Sequence, residues 1–268
     1  MLRRRLLAAG LALAAAPAAR AQKPPGGGPL RLGIDHALVE SRLGLSLQTA
    51  FSADTGIAVK LVAGPALAVL EATKEGELDA ALTNAPAAEA GLEQQALVHD
   101  RRAIAAGEFV LVGPAPAKGK GKTAPVGRSV VEALVRIRDL AVAAPESLVF
   151  LSAGDGSGTH VAEQALWRAA GIAPAAPWYV NAGGSSGFAA KVRSRSAYAV
   201  VERGAWVAHG GAPLAILVEG DRQLGEDVHA MRSFRSPHPA GRMFVAWIAG
   251  ARGRAVVAAQ RGYRVPTA

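Results

Sequence analysis

Cysteine is absent from all 268 residues. Its absence excludes disulfides, thiolate metal sites, thioether-attached haem and a cysteine nucleophile. Aromatic residues make up only 5% of the chain, and none is interleaved with a basic stretch. Nucleic-acid binding wants a basic face with such aromatics, so no nucleic-acid partner is expected. The six histidines, His36, His99, His160, His209, His229 and His238, include no pair at helical ligand spacing. No metal and no cofactor are therefore expected. His229 and His238 read as solvated loop residues, and His160 as a structural side chain. The apolar stretch Leu6 to Ala16 is too short to span a bilayer.

An acidic excess is lacking as well. The formal charge is +9, and Arg3, Arg4 and Arg5 open the chain as a basic start. With the apolar run behind them and Ala19-Arg-Ala21 as a small-x-small cleavage site, residues 1–21 read as an export signal, with Gln22 the mature start. Arg3-Arg-Arg-Leu-Leu7 also resembles a twin-arginine signal, so the route is Sec or twin-arginine. Removing Arg3, Arg4, Arg5 and Arg20 with the signal lowers the charge from +9 to +5. Export without cysteine points to a bacterial periplasm or cell surface. A mild positive field suits a small anionic ligand.

The mature chain alternates strands and helices after a linker at residues 22–29. Strands are predicted at 30–34, 57–62 and 78–82, with helices at 37–53 and 66–74 between them. A strand at 108–113 leads to a Pro/Gly/Lys break at 114–127, in which Lys118, Lys120 and Lys122 look solvated. A helix at 129–140 follows, then strands at 178–180, 198–201 and 214–218, a helix at 188–195, and a helix from Gly241 to Arg261 interrupted near Gly250. This alternation predicts a parallel α/β architecture with ligands at strand carboxyl ends. Trp167, Trp206 and Trp247 fall at core positions; Trp178-Tyr179 reads as core or cleft lining.

Ser152-Ala-Gly-Asp-Gly-Ser-Gly-Thr-His160 sits between the apolar run Ser147 to Leu151 and the helical pattern from Val161 to Ala170. Glycines at such a joint let backbone approach a ligand closely, and N–H groups at a helix start bind anions. Gly156, Ser157, Gly158 and Thr159 are therefore the candidate anion cradle. Asp155 would order the loop by accepting its N–H bonds. The alternative is that Thr159 only caps its helix.

These residues also carry a resemblance. Gly154-Asp-Gly-Ser-Gly-Thr-His160, Ala165-Leu-Trp-Arg-Ala-Ala-Gly171, Trp178-Tyr179, Ala197-Tyr-Ala-Val-Val-Glu-Arg-Gly-Ala-Trp206 and Leu214-Ala-Ile-Leu-Val-Glu-Gly220 resemble the tungstate-binding proteins of ABC importers. Weaker echoes, such as Phe51-Ser-Ala-Asp-Thr-Gly-Ile57 and Gly76-Glu-Leu-Asp79, extend it over nearly the whole mature chain. The resemblance implies a two-lobe α/β periplasmic binding protein of type II, with a mostly parallel sheet flanked by helices in each lobe and two hinge crossings. Lobe I would be residues 30–113 and 219–268, and lobe II residues 114–218. It implies a monomer that captures a small oxyanion, tungstate first and molybdate next, for an ABC permease, with no catalysis.

The ligand loops depart from the family pattern. A Thr/Ser run after the first strand falls on Ile34-Asp-His-Ala-Leu38, which puts Asp35 and His36 in place of hydroxyls. A second hydroxyl loop falls on Pro65-Ala-Leu67, so Ala66 replaces a donor. An Arg gives way to Ala153, and Gly183-Gly-Ser-Ser-Gly187 lacks a Met but offers Ser185 and Ser186. His36, Arg101, Arg102, Arg128 or Arg203 could restore a positive donor. A different anionic ligand or a sensing role is the alternative function. A serine hydrolase built on Ser185, with Asp227 and His229 or His238, is the remote one.

Overall fold

The computed structural model describes residues 27–115, 125–144 and 147–267. The export signal, most of the linker and the three lysines of the Pro/Gly/Lys break lie outside the described residues. β1 (Leu30–Asp35) pairs in parallel with β2 (Val59–Gly64) and with β3 (Ala80–Thr83). Between them run α1 (His36–Glu40), α2 (Leu43–Thr55) and α3 (Ala66–Lys74). The helix expected over 37–53 is two helices. Asp35 caps α1, which starts at His36, one residue earlier than expected, and Arg42 breaks the path in the left-handed region at φ 69°. α4 (Pro86–Gln94) leads into β4 (Val98–Gly113).

β4 is the long element of the fold. Its first part pairs antiparallel with β9 (Gly225–Ser233), and its last residues pair antiparallel with β7 (Ala199–Glu202) and β8 (Ala215–Val218). The strand order is β2-β1-β3-β9-β4-β7, with β8 also on β4. The sequence suggested a strand only over 108–113, because His99-Asp-Arg-Arg102 carries no apolar alternation. There the register shifts, and Asp100 adopts φ 57°. β9 was unforeseen for the same reason: Gly-Glu-Asp-Val-His-Ala-Met-Arg-Ser alternates poorly.

Along the remaining stretch lie α5 (Val130–Ala143), β5 (Phe150–Ser152), α6 (Gly158–Ala169), β6 (Tyr179–Asn181), α7 (Phe188–Ser194) and α8 (Arg203–His209). β5 and β6 are parallel, and Phe150 bridges to Tyr198 beside β7. α9 (Pro239–Ala249) and α10 (Ala251–Ala258) close the chain, with the expected interruption at Gly250.

Apolar side chains gather on both sides of the midpoint of β4. Leu32, Ile34, Phe51, Val228 and Phe244 form one core, with α2 and α9 over β1, β3 and β9. Leu111, Leu134, Phe150, Trp167 and Val200 form another, under α5 and α6. Trp178 belongs to that second core, edge-on to Trp167. Val110, Leu151, Phe188 and Trp206 pack on the opposite face of the same strands. Burying a Leu or Phe side chain contributes about 1.5–3 kcal/mol, so each core is a substantial folding unit. Two stretches join them: β4 itself, and the path from β8 through a short 3-10 turn at Arg222–Leu224 into β9. No helix among the described residues is long and apolar enough to cross a membrane.

Candidate functional site

Strand β5 ends at Ser152, and the chain turns through two left-handed glycines, Gly154 at φ 66° and Gly156 at φ 80°. Residues with a Cβ are disfavoured there. Ser157 then caps α6, its Oγ accepting the N–H of His160 at 3.3 Å. Thr159, the cap expected from sequence, is instead a buried residue of the first turn. The hydroxyl two positions earlier has the extended backbone that a cap requires. His160 serves the loop, its Nδ1 accepting the N–H of Gly156 at 3.0 Å.

Asp155 ties this loop to a second one. Its carboxylate accepts the N–H of Ser157 at 3.0 Å and that of Ser185 at 2.6 Å. Burial opposes its charge, but hydrogen bonds from Ser185 and Ser157 outweigh that and hold its pKa below the ordinary value. The second loop, Gly183-Gly-Ser-Ser-Gly187, buries Ser185 and leaves Ser186 exposed.

Both loops meet the carboxyl end of β1. Asp35, fully buried, caps α1 with Oδ1 on the N–H of Ala37 at 2.9 Å. Its Oδ2 accepts the N–H of Gly158, the first residue of α6, at 3.1 Å. Burial raises the Asp35 pKa to about 6, against the lowering effect of those two hydrogen bonds. Next to it, His36 Nδ1 lies 2.8 Å from Ser185 Oγ. Glu40 Oε1 accepts the N–H of Gly187 at 2.6 Å. At the start of α3, Ala66 is buried, and its neighbour Leu67 donates its N–H to Gly156 O at 3.0 Å.

The structure thus brings together Asp35, His36, Gly156, Ser157, Gly158, Thr159 and Ser185, with Ala66 alongside. Glu40 and Asn84 belong to the same place and escaped the sequence reading. Asn84 sits so close to Gly158 that a Cβ there would lie 1.8 Å from Asn84 Oδ1. The signal for Asn84 was its position after the apolar strand β3, where ligands of parallel sheets gather. Behind it, Asn84 Nδ2 donates to Glu226 Oε1 at 2.6 Å. Glu226 and Glu202 are buried together. Burial, then repulsion from Glu202, pushes Glu226 well above its ordinary pKa.

The arginines considered as replacement donors are engaged elsewhere or exposed. Arg101 pairs with Glu89 at 3.1 Å. Arg203 pairs with Glu108 at 2.5 Å and with Glu219, bracing the two stretches that join the cores. Arg102 and Arg128 are exposed. The hydrolase reading also fails in geometry. His229 is a buried residue of β9 bonded to Glu89 at 2.8 Å, not a solvated one. His238 caps α9, and its Nε2 lies 3.0 Å from Gly28 O. The imidazole on Ser185 is that of His36. No group of three His, Cys, Asp or Glu among the described residues could hold a metal ion.

Comparison with known proteins agrees with this layout. Residues 40–251 match the family model described as the PBP superfamily domain. The tungstate-binding protein TupA of Peptoclostridium acidaminophilum is 32% identical over 219 residues, 80% of this chain and 73% of that protein. The crystal structure of the tungstate ABC transporter from Geobacter sulfurreducens superposes with a TM-score of 0.71 at 26% identity. That superposition covers 86% of this chain and 97% of the other. The tungstate-binding protein TupA from Desulfovibrio alaskensis G20 gives 0.68 at 25% identity, over 90% and 100% of the two chains. The fold is that of type II periplasmic binding proteins, and the relatives are binding proteins, not enzymes. The chain belongs to the PBP superfamily, in the group of tungstate-binding proteins of ABC importers.

Proposed function

We propose that this chain is an extracytoplasmic solute-binding protein that captures a small oxyanion, tungstate first and molybdate next, and delivers it to an ABC permease. One observation carries the reading. The glycine loop at the start of α6 and the 183–187 loop, both on the second core, converge on the Asp35–His36 end of β1 in the first core. A desolvated anion needs donors to replace water, and a helix start flanked by Ser157, Thr159 and Ser185 offers N–H and O–H groups. The relatives named above are called tungstate-binding, which supports the ligand class.

The working unit in this reading is a monomer of two lobes, residues 30–113 with 219–268 and residues 114–218, closing by a hinge at β4 and at the path from β8 to β9. Residues 1–21 direct it to the periplasm. The protein needs no cofactor. A thermal-shift panel on residues 22–268 with tungstate, molybdate, sulfate, phosphate and carboxylates tests it. A ligand at 100 times its Kd adds about 2.7 kcal/mol, or roughly 5–10 °C at this size. No shift with any oxyanion rejects the reading.

A further inference from the structure

The donors of the cradle already have acceptors, and those acceptors are the chain's own carboxylates. The N–H of Gly158 goes to Asp35, those of Ser157 and Ser185 to Asp155, and that of Gly187 to Glu40. Asp155 is local to its loops. Asp35 and Glu40 are not, because each reaches from the first core to an N–H of the second. A carboxylate presents two oxygens and a negative charge, which is the chemistry of an oxyanion edge. Asp35 is also fully buried, so its contact with α6 is shielded from water. On the far side of Gly158, Asn84 Oδ1 is buried and has no hydrogen-bond partner. That side of the helix start is lined by acceptors, which repel a fully charged anion.

We propose that Asp35 is the specificity-determining residue of the cleft: its carboxylate is a built-in anion that holds the two lobes together without solute and competes with free oxyanions for the start of α6. The competition with oxyanions rests on the solute reading above; the clasp between lobes does not. An oxyanion at that place and a charged Asp35 repel each other in a site without water, so capture is coupled to uptake of one proton by Asp35. The groups facing Asp35 set when that happens. They are His36 on its own element, Asp155 and the Gly158 N–H from the α6 loop, Glu202 from the end of β7 and Glu226 from β9. Burial dominates, and Asp35 gives up its charge below about pH 6.

The test uses full mature protein, as wild type, Asp35→Asn and Asp35→Ser, with Glu40→Gln as the companion variant. Asp35→Asn keeps the shape and removes the charge; Asp35→Ser restores a small hydroxyl. Circular dichroism establishes that each variant is folded. Small-angle scattering without solute reads lobe closure, and calorimetric titration with micromolar tungstate from about pH 5.5 to 8 reads affinity. In wild type the Kd should rise about tenfold per pH unit above pH 6, as coupling to one proton requires. Asp35→Ser should bind at least about tenfold tighter than wild type at pH 8 and lose that pH dependence. Both Asp35 variants should scatter as a more open particle than wild type, and Glu40→Gln should open less. Variants as closed as wild type, with a Kd independent of pH, overturn the proposal even if tungstate binds well. Variants that open while no chain binds tungstate at any pH retain the clasp, and reject the competition together with the oxyanion reading.

Discussion

His36 Nδ1 and Ser185 Oγ lie 2.8 Å apart, although 149 residues separate them in the chain. One residue starts α1 in the first core, and the other sits in the loop before α7 in the second. If the pair couples the lobes, His36→Ala and Ser185→Ala will be non-additive. A double-mutant cycle in urea should give a coupling of about 0.5–1.5 kcal/mol, the worth of one such hydrogen bond. Additive losses would place the pair outside the forces that join the lobes.

Gly158→Ala probes the close approach of α6 to β3. The added methyl would meet Asn84 Oδ1 at 1.8 Å and Asn84 Cγ at 2.3 Å, and Asn84 is held by Glu226. Alanine favours the helix itself by up to about 1 kcal/mol. The clash should exceed that gain, costing about 1–3 kcal/mol overall, and the scattering profile should show separated lobes. An unchanged or raised Tm would mean that the contact yields freely.

The buried acids predict a protein that is steadier in mild acid. Asp35 is raised to about 6, and Glu163 and Glu202 to about 7, each chiefly by burial. A carboxyl with a raised native pKa binds protons that the unfolded chain has released, so its effect on stability worsens as pH rises between the unfolded and folded values. The window is about pH 4 to 7. Asp79, Asp100 and Asp155, all lowered despite some burial, are lost as stabilisers only below about pH 4. Calorimetry should therefore show a higher Tm at about pH 5 than at pH 8. One unit on one group is about 1.4 kcal/mol, or about 3–5 °C at this size. A Tm that falls on going from pH 8 to 5 contradicts these assignments.

Glu89 is a structural anchor. Fully buried, it accepts from Thr83 Oγ1 at 2.7 Å and from the N–H of Ala85 at 2.9 Å, and pairs with Arg101 and His229. Glu89→Ala removes the buried acceptor of Thr83 and Ala85 and leaves Arg101 with its longer contacts to Glu93 and Pro86 O. A loss of about 3 kcal/mol is expected, read as a fall in Tm of about 6–12 °C. A loss under about 1 kcal/mol would show that the network relaxes around the gap.

Much of the fold was readable because its apolar strands and helices follow simple periods. α3 and α7 begin at the expected residues, and the interruption at Gly250 is where glycine placed it. β9 and the first part of β4 were not readable. His229 reads as solvated in sequence, yet His229 and its strand neighbour Glu226 are buried by Asn84, Glu202, Glu89 and Arg101, which lie far away in the chain. At the site, the glycine pattern from 154 to 158 pointed to backbone that approaches another group closely. Sequence could not show that the group approached is Asp35, because a carboxylate in place of a hydroxyl reads as a lost donor. Only the packing of β1 against α6 reveals it as an acceptor already in position.

The most direct test is a crystal of the mature chain grown with tungstate at about pH 5.5, with diffraction recorded at the tungsten absorption edge. An oxyanion-binding cleft predicts a tungsten peak between the start of α6 and the His36–Ala37 start of α1. Its oxygens should lie within hydrogen-bond distance of the Gly158 N–H and the Ser185 side chain. No peak, or peaks only on outer surfaces, would contradict it.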